Sequence, residues 1–213
     1  MKEDNKIGTK IKDRLSLIID NPKSELEFSN EFELLIAVML SAQCTDKRVN
    51  MVTSSLFKKY KTPYDFSALT CSDLEKEISS INYYHNKAKN IISACKTIVE
   101  KYNGQVPNSH KDLMTLSGVG NKTANVVLTV GFGIPTIPVD THVLRVANRL
   151  GLVDTKNPTI CENELKKYIL DRNDYGLMHH LLLLFGRYTC TARNPKCKDC
   201  VLKDMCKFIK IKE

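Results

Sequence analysis

No apolar run in this chain of 213 residues approaches the roughly 20 residues a helix needs to cross a bilayer. The longest runs are Leu34–Leu40 and Leu181–Phe185, so no membrane partner is expected. The opening Met-Lys-Glu-Asp-Asn-Lys has no apolar block behind it, so no secretory signal is expected either, and the chain reads as soluble and cytoplasmic. Strand signals are scarce: nowhere does a sustained period-2 alternation run between hairpin turns. Internal repeats and low-complexity stretches are also missing. Acidic residues are in the minority, 24 Asp and Glu against 32 Lys and Arg, for a formal net charge of +8. That excess favours a polyanionic partner, because Lys and Arg displace the counterions condensed on phosphates. A lysine-rich surface with no such partner has the same composition.

What is present is helical. The hydrophobic share of 42% is that of an ordinary globular protein, and the length suits one large domain or two small lobes. Residues 31–43 hold a dense apolar block, long enough for a mostly buried helix. Residues 86–102 place Ala88, Ile91, Ile92, Cys95, Ile98 and Val99 at helical spacing. Ser109 followed by Asp112 is a capping-box pattern that opens a short helix ending near Leu116. Residues 141–150 put Val143, Val146, Ala147 and Leu150 on one face before the stop at Gly151. Residues 175–188 form a strongly apolar helix. The predicted fold class is all-α. Two tight joints interrupt the pattern, at residues 117–120 and 131–138, and the chain is expected to change lobe at the second.

The first joint, Ser117-Gly118-Val119-Gly120, lies between two helical segments. Two glycines flanking one apolar residue permit a hairpin too tight for side chains, with Val119 free to pack back between the helices. The next helix starts with unpaired backbone N–H groups, which suit a phosphate oxygen; a plain helix–turn–helix joint with a glycine cap looks the same. Lys122 stands in the first turn of that helix, where the macrodipole disfavours a cation. The helix end, and any burial, would lower its pKa from the free value of about 10.4 and make the nucleophilic neutral amine more accessible. Asp140, ahead of residues 141–150, is a candidate N-cap. A carboxylate kept ionised by a helix end can also stabilise developing positive charge or accept a proton.

Of eight cysteines, Cys44, Cys71, Cys95 and Cys161 are scattered and read as buried small hydrophobes. Cys190, Cys197, Cys200 and Cys206 crowd together with the spacing C-x6-C-x2-C-x5-C. Four thiolates so placed can hold a 4Fe–4S cluster or a tetrahedral zinc ion. Their surroundings are basic, with Arg187, Arg193, Lys196, Lys198, Lys203 and Lys207 close in sequence. These charges either balance the thiolates or present Lys196 and Lys198 to phosphates.

Residues 116–124, with Asn121-Lys122-Thr123-Ala124, together with Val139-Asp140-Thr141-His142, Ser41-Ala42-Gln43 and the spacing of the four cysteines, resemble the endonuclease III family of helix–hairpin–helix DNA glycosylases. The resemblance runs from about residue 25 to residue 208. It implies two helical lobes: residues 23–134, carrying the hairpin at about 109–128, and residues 1–22 with 135–213, carrying a cluster loop at 187–208. It implies a 4Fe–4S cluster on Cys190, Cys197, Cys200 and Cys206. The implied activity is base-excision repair by a bifunctional DNA N-glycosylase and abasic-site lyase, acting as a monomer at the bacterial nucleoid on double-stranded DNA with damaged pyrimidines or abasic sites. Lys122 would attack the sugar, and Asp140 would help deprotonate it and stabilise cationic character. Gly118, Val119 and Gly120 would bind the DNA backbone. Gln43 and Tyr83 would fill the space left by a base flipped into a pocket between the lobes, and His142 would line that pocket. Two departures stand out: Ser117 replaces the usual proline, and Asn82-Tyr83 replaces the usual Gly-Leu.

Two other readings share parts of these features. Adenine-specific mismatch glycosylases, and in general alkyl-purine glycosylases of this fold, lack the lysine that Lys122 supplies. A non-catalytic DNA-binding protein with structural zinc would explain the hairpin and the cysteines but not Lys122 with Asp140.

Overall fold

The computed structural model describes residues 2–210. Among them the regular structure is helical, without a strand: α1 (Lys2–Ser16), α2 (Glu31–Ser41), α3 (Asp46–Lys59), α4 (Pro63–Ser67), α5 (Cys71–Glu77), α6 (Tyr84–Tyr102), α7 (His110–Leu113), α8 (Asn121–Val126), α9 (Thr141–Leu150), α10 (Pro158–Leu165), α11 (Tyr175–Tyr188) and α12 (Lys207–Lys210). The chain forms two compact units, Ser24–Ile134 and, discontinuously, Met1–Lys23 with Pro135–Glu213.

The Ser24–Ile134 unit is built around α2 and α6. Every residue from Leu34 to Leu40 is buried, so α2 is apolar on all sides and takes neighbours all round. Asn30 caps it, its Oδ1 accepting from the Glu33 N–H at 2.9 Å. α6 lays Ala88, Ile91, Ile92, Cys95 and Ile98 into the same core and packs against α2, α4 and α5. Phe66 of α4 is fully buried, edge-on to Phe32 with ring centroids 5.4 Å apart. Truncating such a ring to alanine costs about 3–5 kcal/mol.

In the discontinuous unit, α9 and α11 form the centre. α9 buries Val143, Val146, Ala147 and Leu150, a one-sided stripe, and Gly151 ends it in the left-handed conformation at φ 79°. α11 crosses close to it at Gly186, where an added Cβ would sit 3.0 Å from both His142 Cβ and Val146 Cγ2. α1 packs on α11 and on the turn at Lys166–Tyr168, burying Ile11 and Leu15.

The structure departs from the sequence expectations at several points. The short helix from Ser109 ends at Leu113, three residues early, and residues 114–116 are turn. The segment after the hairpin is α-helical only to Val126. It then widens into a π-helical turn over Val127–Gly131, closed by Ile134 N–H donating to the Leu128 carbonyl at 2.9 Å. Cys71 is exposed on the first turn of α5 and Cys44 is half-buried, so of the four scattered cysteines only Cys95 and Cys161 lie in cores.

Candidate active site and cluster loop

The hairpin is set by its backbone. Gly118 has φ 77°, which an L side chain rarely adopts, and an added Cβ would meet Asn90 Cβ at 2.8 Å. Ser117 Oγ donates to Asn90 Oδ1 at 2.9 Å, so the serine is tied to α6. Val119 turns inward, 6% exposed, and joins the core with Leu116 and Ala124. At Gly120 an added Cβ would meet nothing within 4 Å, so the backbone there faces open space. Gly120 is the N-cap of α8 and offers no side chain to its first N–H groups. Lys122 follows in the first turn and is exposed.

Asp140 caps α9. Its Oδ1 accepts from the N–H groups of His142 and Val143, both at 2.8 Å, leaving Oδ2 outside the cap. His142, half-buried, meets Arg145: Nδ1 lies 3.2 Å from an Nη of the guanidinium. A guanidinium only donates, so Nδ1 is the acceptor and the ring proton sits on Nε2. Arg145 also donates to the Gly186 carbonyl at 2.7 Å and the Cys190 carbonyl at 3.1 Å. Burial and the neighbouring Arg149 lower its pKa.

Gln43 and Tyr83 are both exposed and both in the left-handed region, at φ 55° and 59°. That conformation costs a non-glycine residue about 1–2 kcal/mol. Two residues to which the sequence assigns no role support them. Asn82 Nδ2 donates to the Gln43 carbonyl at 2.7 Å. Lys87, 8% exposed, donates through Nζ to the carbonyls of Leu40 and Ala42 at 2.8 and 2.6 Å and so caps the end of α2 with a cation. Nothing in spacing or composition signals either contact.

The four clustered cysteines line one small apolar cavity with Arg149, Leu150, Phe185 and Phe208. Among the described residues no three His, Cys, Asp or Glu side chains converge closely enough for a single metal ion. A tetrahedral zinc site would need sulfurs roughly 3.8 Å apart, from Zn–S bonds of about 2.3 Å. An iron–sulfur cubane puts each thiolate on its own iron and spreads them round a larger body. Four thiolates lining one cavity are the donor set that a 4Fe–4S cluster takes, one to each iron. Sulfur also receives hydrogen bonds here: Arg149 Nη1 lies 3.4 Å from Cys190 Sγ, and the Leu202 N–H lies 3.4 Å from Cys200 Sγ. Lys196 and Lys198 project from the loop, both exposed.

A two-glycine hairpin opening a helix, followed by an aspartate-capped helix, is the framework of a helix–hairpin–helix repair protein, and comparison with known proteins agrees. Residues 36–170 match the HhH-GPD superfamily base excision DNA repair protein family, and residues 190–206 match the iron-sulfur binding domain of endonuclease III. Endonuclease III of Bacillus subtilis is 46% identical over 195 residues, covering 92% of this chain and 89% of that protein. Endonuclease III of Rickettsia conorii is 51% identical over 188 residues, covering 88% and 89%. Among solved structures, a trapped endonuclease III–DNA covalent intermediate superposes with a TM-score of 0.92 at 45% identity, covering 98% of each chain. The chain belongs to the HhH-GPD superfamily of base excision DNA repair proteins, within its endonuclease III branch. It is accordingly a DNA glycosylase and abasic-site lyase that carries a 4Fe–4S cluster.

Proposed function

We propose that the chain acts as a monomer on the double-stranded DNA of a bacterial nucleoid, removing damaged pyrimidines and cutting at abasic sites, with Lys122 as nucleophile and Asp140 as its partner in catalysis. The neutral Nζ of Lys122 gives its lone pair to C1′ of the damaged nucleotide. The glycosidic bond breaks, its electrons leave with the base, and the base takes up a proton. Loss of a proton from nitrogen and opening of the sugar give an imine, which acidifies the 2′ hydrogens; removal of one expels the 3′ phosphate by β-elimination. In this reading the Asp140 carboxylate helps take the ammonium proton and balances cationic character on the sugar. Gly118, Val119 and Gly120 bring backbone N–H groups to the DNA phosphates. Lys196 and Lys198 add phosphate contacts, and His142 offers its Nε2–H to the lesion. The cluster, when bound, ties together a loop that four separate cysteines could not hold.

The observation that carries the reading is the placement of Lys122: an exposed residue in the first helical turn after a hairpin whose Gly120 backbone faces open space. Likeness to an enzyme trapped covalently on DNA supports a nucleophile on the protein. The test is borohydride trapping on a duplex containing an abasic site or an oxidised thymine. Wild type is expected to give a covalent adduct and Lys122→Ala none. Base release by wild type without any adduct overturns the role of Lys122.

A further inference from the structure

Five non-glycine residues among those described have positive φ, and three of them are asparagines, Asn21, Asn103 and Asn194. Asparagine tolerates that region. Gln43 and Tyr83 are the other two, and neither side chain offers that tolerance. Strain of this kind persists only where the surroundings over-determine it. Here they do so from three sides. Lys87 pins the carbonyls of Leu40 and Ala42, in the last residues before Gln43. Ile78 and Ile81, at 0% and 1% exposure, anchor the loop that leads to Tyr83. Arg48 donates to the carbonyl of Ser80 in the same loop at 3.3 Å. Despite this anchoring, Tyr83 is 62% exposed.

The link between the two strained residues is Asn82. Its amide donates to the Gln43 carbonyl at 2.7 Å, joining the end of α2 to the start of α6 at the surface. We propose that Asn82 is a positioning residue: it locks Gln43 and Tyr83 into one preformed pair of prongs, shaped to enter a duplex where a nucleotide has been displaced. Tyr83 presents a flat ring that can stack on a base left without a partner, and Gln43 presents an amide that can pair with its edge. The strut keeps the two at a fixed spacing before DNA arrives, so their ordering is not charged against binding. The inference rests on the reading that the chain works on duplex DNA, but not on the chemistry of Lys122.

The test measures preference for a duplex with a tetrahydrofuran abasic analogue over the intact duplex, with 2-aminopurine opposite the analogue reporting stacking. Wild type is expected to prefer the abasic duplex and to change the 2-aminopurine fluorescence. Asn82→Ala removes the strut, and Asn82→Leu keeps its volume without a donor. Both are expected to lower the preference about fivefold, the worth of one hydrogen bond. The loss should fall on the abasic duplex alone, with a reduced fluorescence change and a cooperative unfolding transition retained. Wild type without a preference, variants that keep it, or an equal loss on both duplexes overturns the proposal. A missing borohydride adduct in wild type overturns the lysine chemistry instead, because this binding measurement involves no bond breaking.

Discussion

The guanidinium of Arg149 touches the sulfur of Cys190, Nη1 to Sγ at 3.4 Å, and in the same reach holds the carbonyls of Thr191 and Ala192 at 2.7 and 3.1 Å. Its other face lies over the Phe208 ring, 4.4 Å from the centroid. One cation on α9 therefore fastens the first cysteine, the chain after it and the segment that follows the last cysteine.

Hydrogen bonds from a charged donor are worth about 1.5–3 kcal/mol. Arg149→Leu is therefore expected to lose its visible cluster absorbance at least about tenfold faster under an iron chelator, the equivalent of about 1.4 kcal/mol. Arg149→Lys should rescue little, because an ammonium cannot reach in several fixed directions at once. Bleaching at the wild-type rate in Arg149→Leu counts against this role.

Asp140 combines two duties that substitution can separate. Asparagine caps a helix about as well as aspartate, whereas alanine costs about 1 kcal/mol. Asp140→Asn should keep the melting temperature and DNA affinity of wild type and lose most base release, through loss of the carboxylate charge. Asp140→Ala should lose both base release and stability. Full base release by Asp140→Asn removes the carboxylate from the chemistry.

The scattered cysteines should divide by burial. Cys71 should react with a thiol reagent in the folded protein, while Cys95 and Cys161 should wait for unfolding. Burial pushes Cys95 up to about 12 and Cys161 up to about 11. Above the ordinary thiol pKa of 9.0 the unfolded chain gives up these protons and the folded one keeps them. Their contribution is thus present in full below pH 9 and falls as pH rises towards the folded values, by up to about 1.4 kcal/mol per pH unit for each thiol. Denaturant titrations from pH 8 to 10.5 should show this slope, and Cys95→Ala or Cys161→Ala should flatten it whatever its baseline stability. An unchanged slope refutes the assignment.

Much of this molecule is written in its apolar pattern. α9 begins and ends where periodicity and caps place it, because an aspartate, a glycine and a one-sided stripe act locally; α11 follows its apolar run without a side-chain cap. α1 and α3 are less legible: their buried residues, Ile11 and Leu15, or Val49, Val52 and Leu56, are diluted by polar neighbours and find their partners only in the folded unit. The π-helical turn depends on Ile134 reaching back to Leu128, which no local signal encodes. Cys71 misleads because a small apolar residue on a first helical turn can face either way. At the hairpin, the glycines disclose a tight turn, but the support of Ser117 by Asn90 is long-range. The left-handed backbone at Gln43 and Tyr83 belongs to residue types that give no hint of it.

α1 precedes the Ser24–Ile134 segment in the chain yet packs with residues from beyond Pro135. On the ribosome, therefore, the contiguous Ser24–Ile134 segment is the part that can close on its own while synthesis continues. α1 must idle outside the exit tunnel until α11 emerges, and its Lys10 and Arg14 must wait longer still for Asp204, between the last two cysteines. Assembly of the metal centre thereby waits for Cys206, and a ribosome stalled before it would leave the Ser24–Ile134 body closed and the cluster loop short of one thiolate.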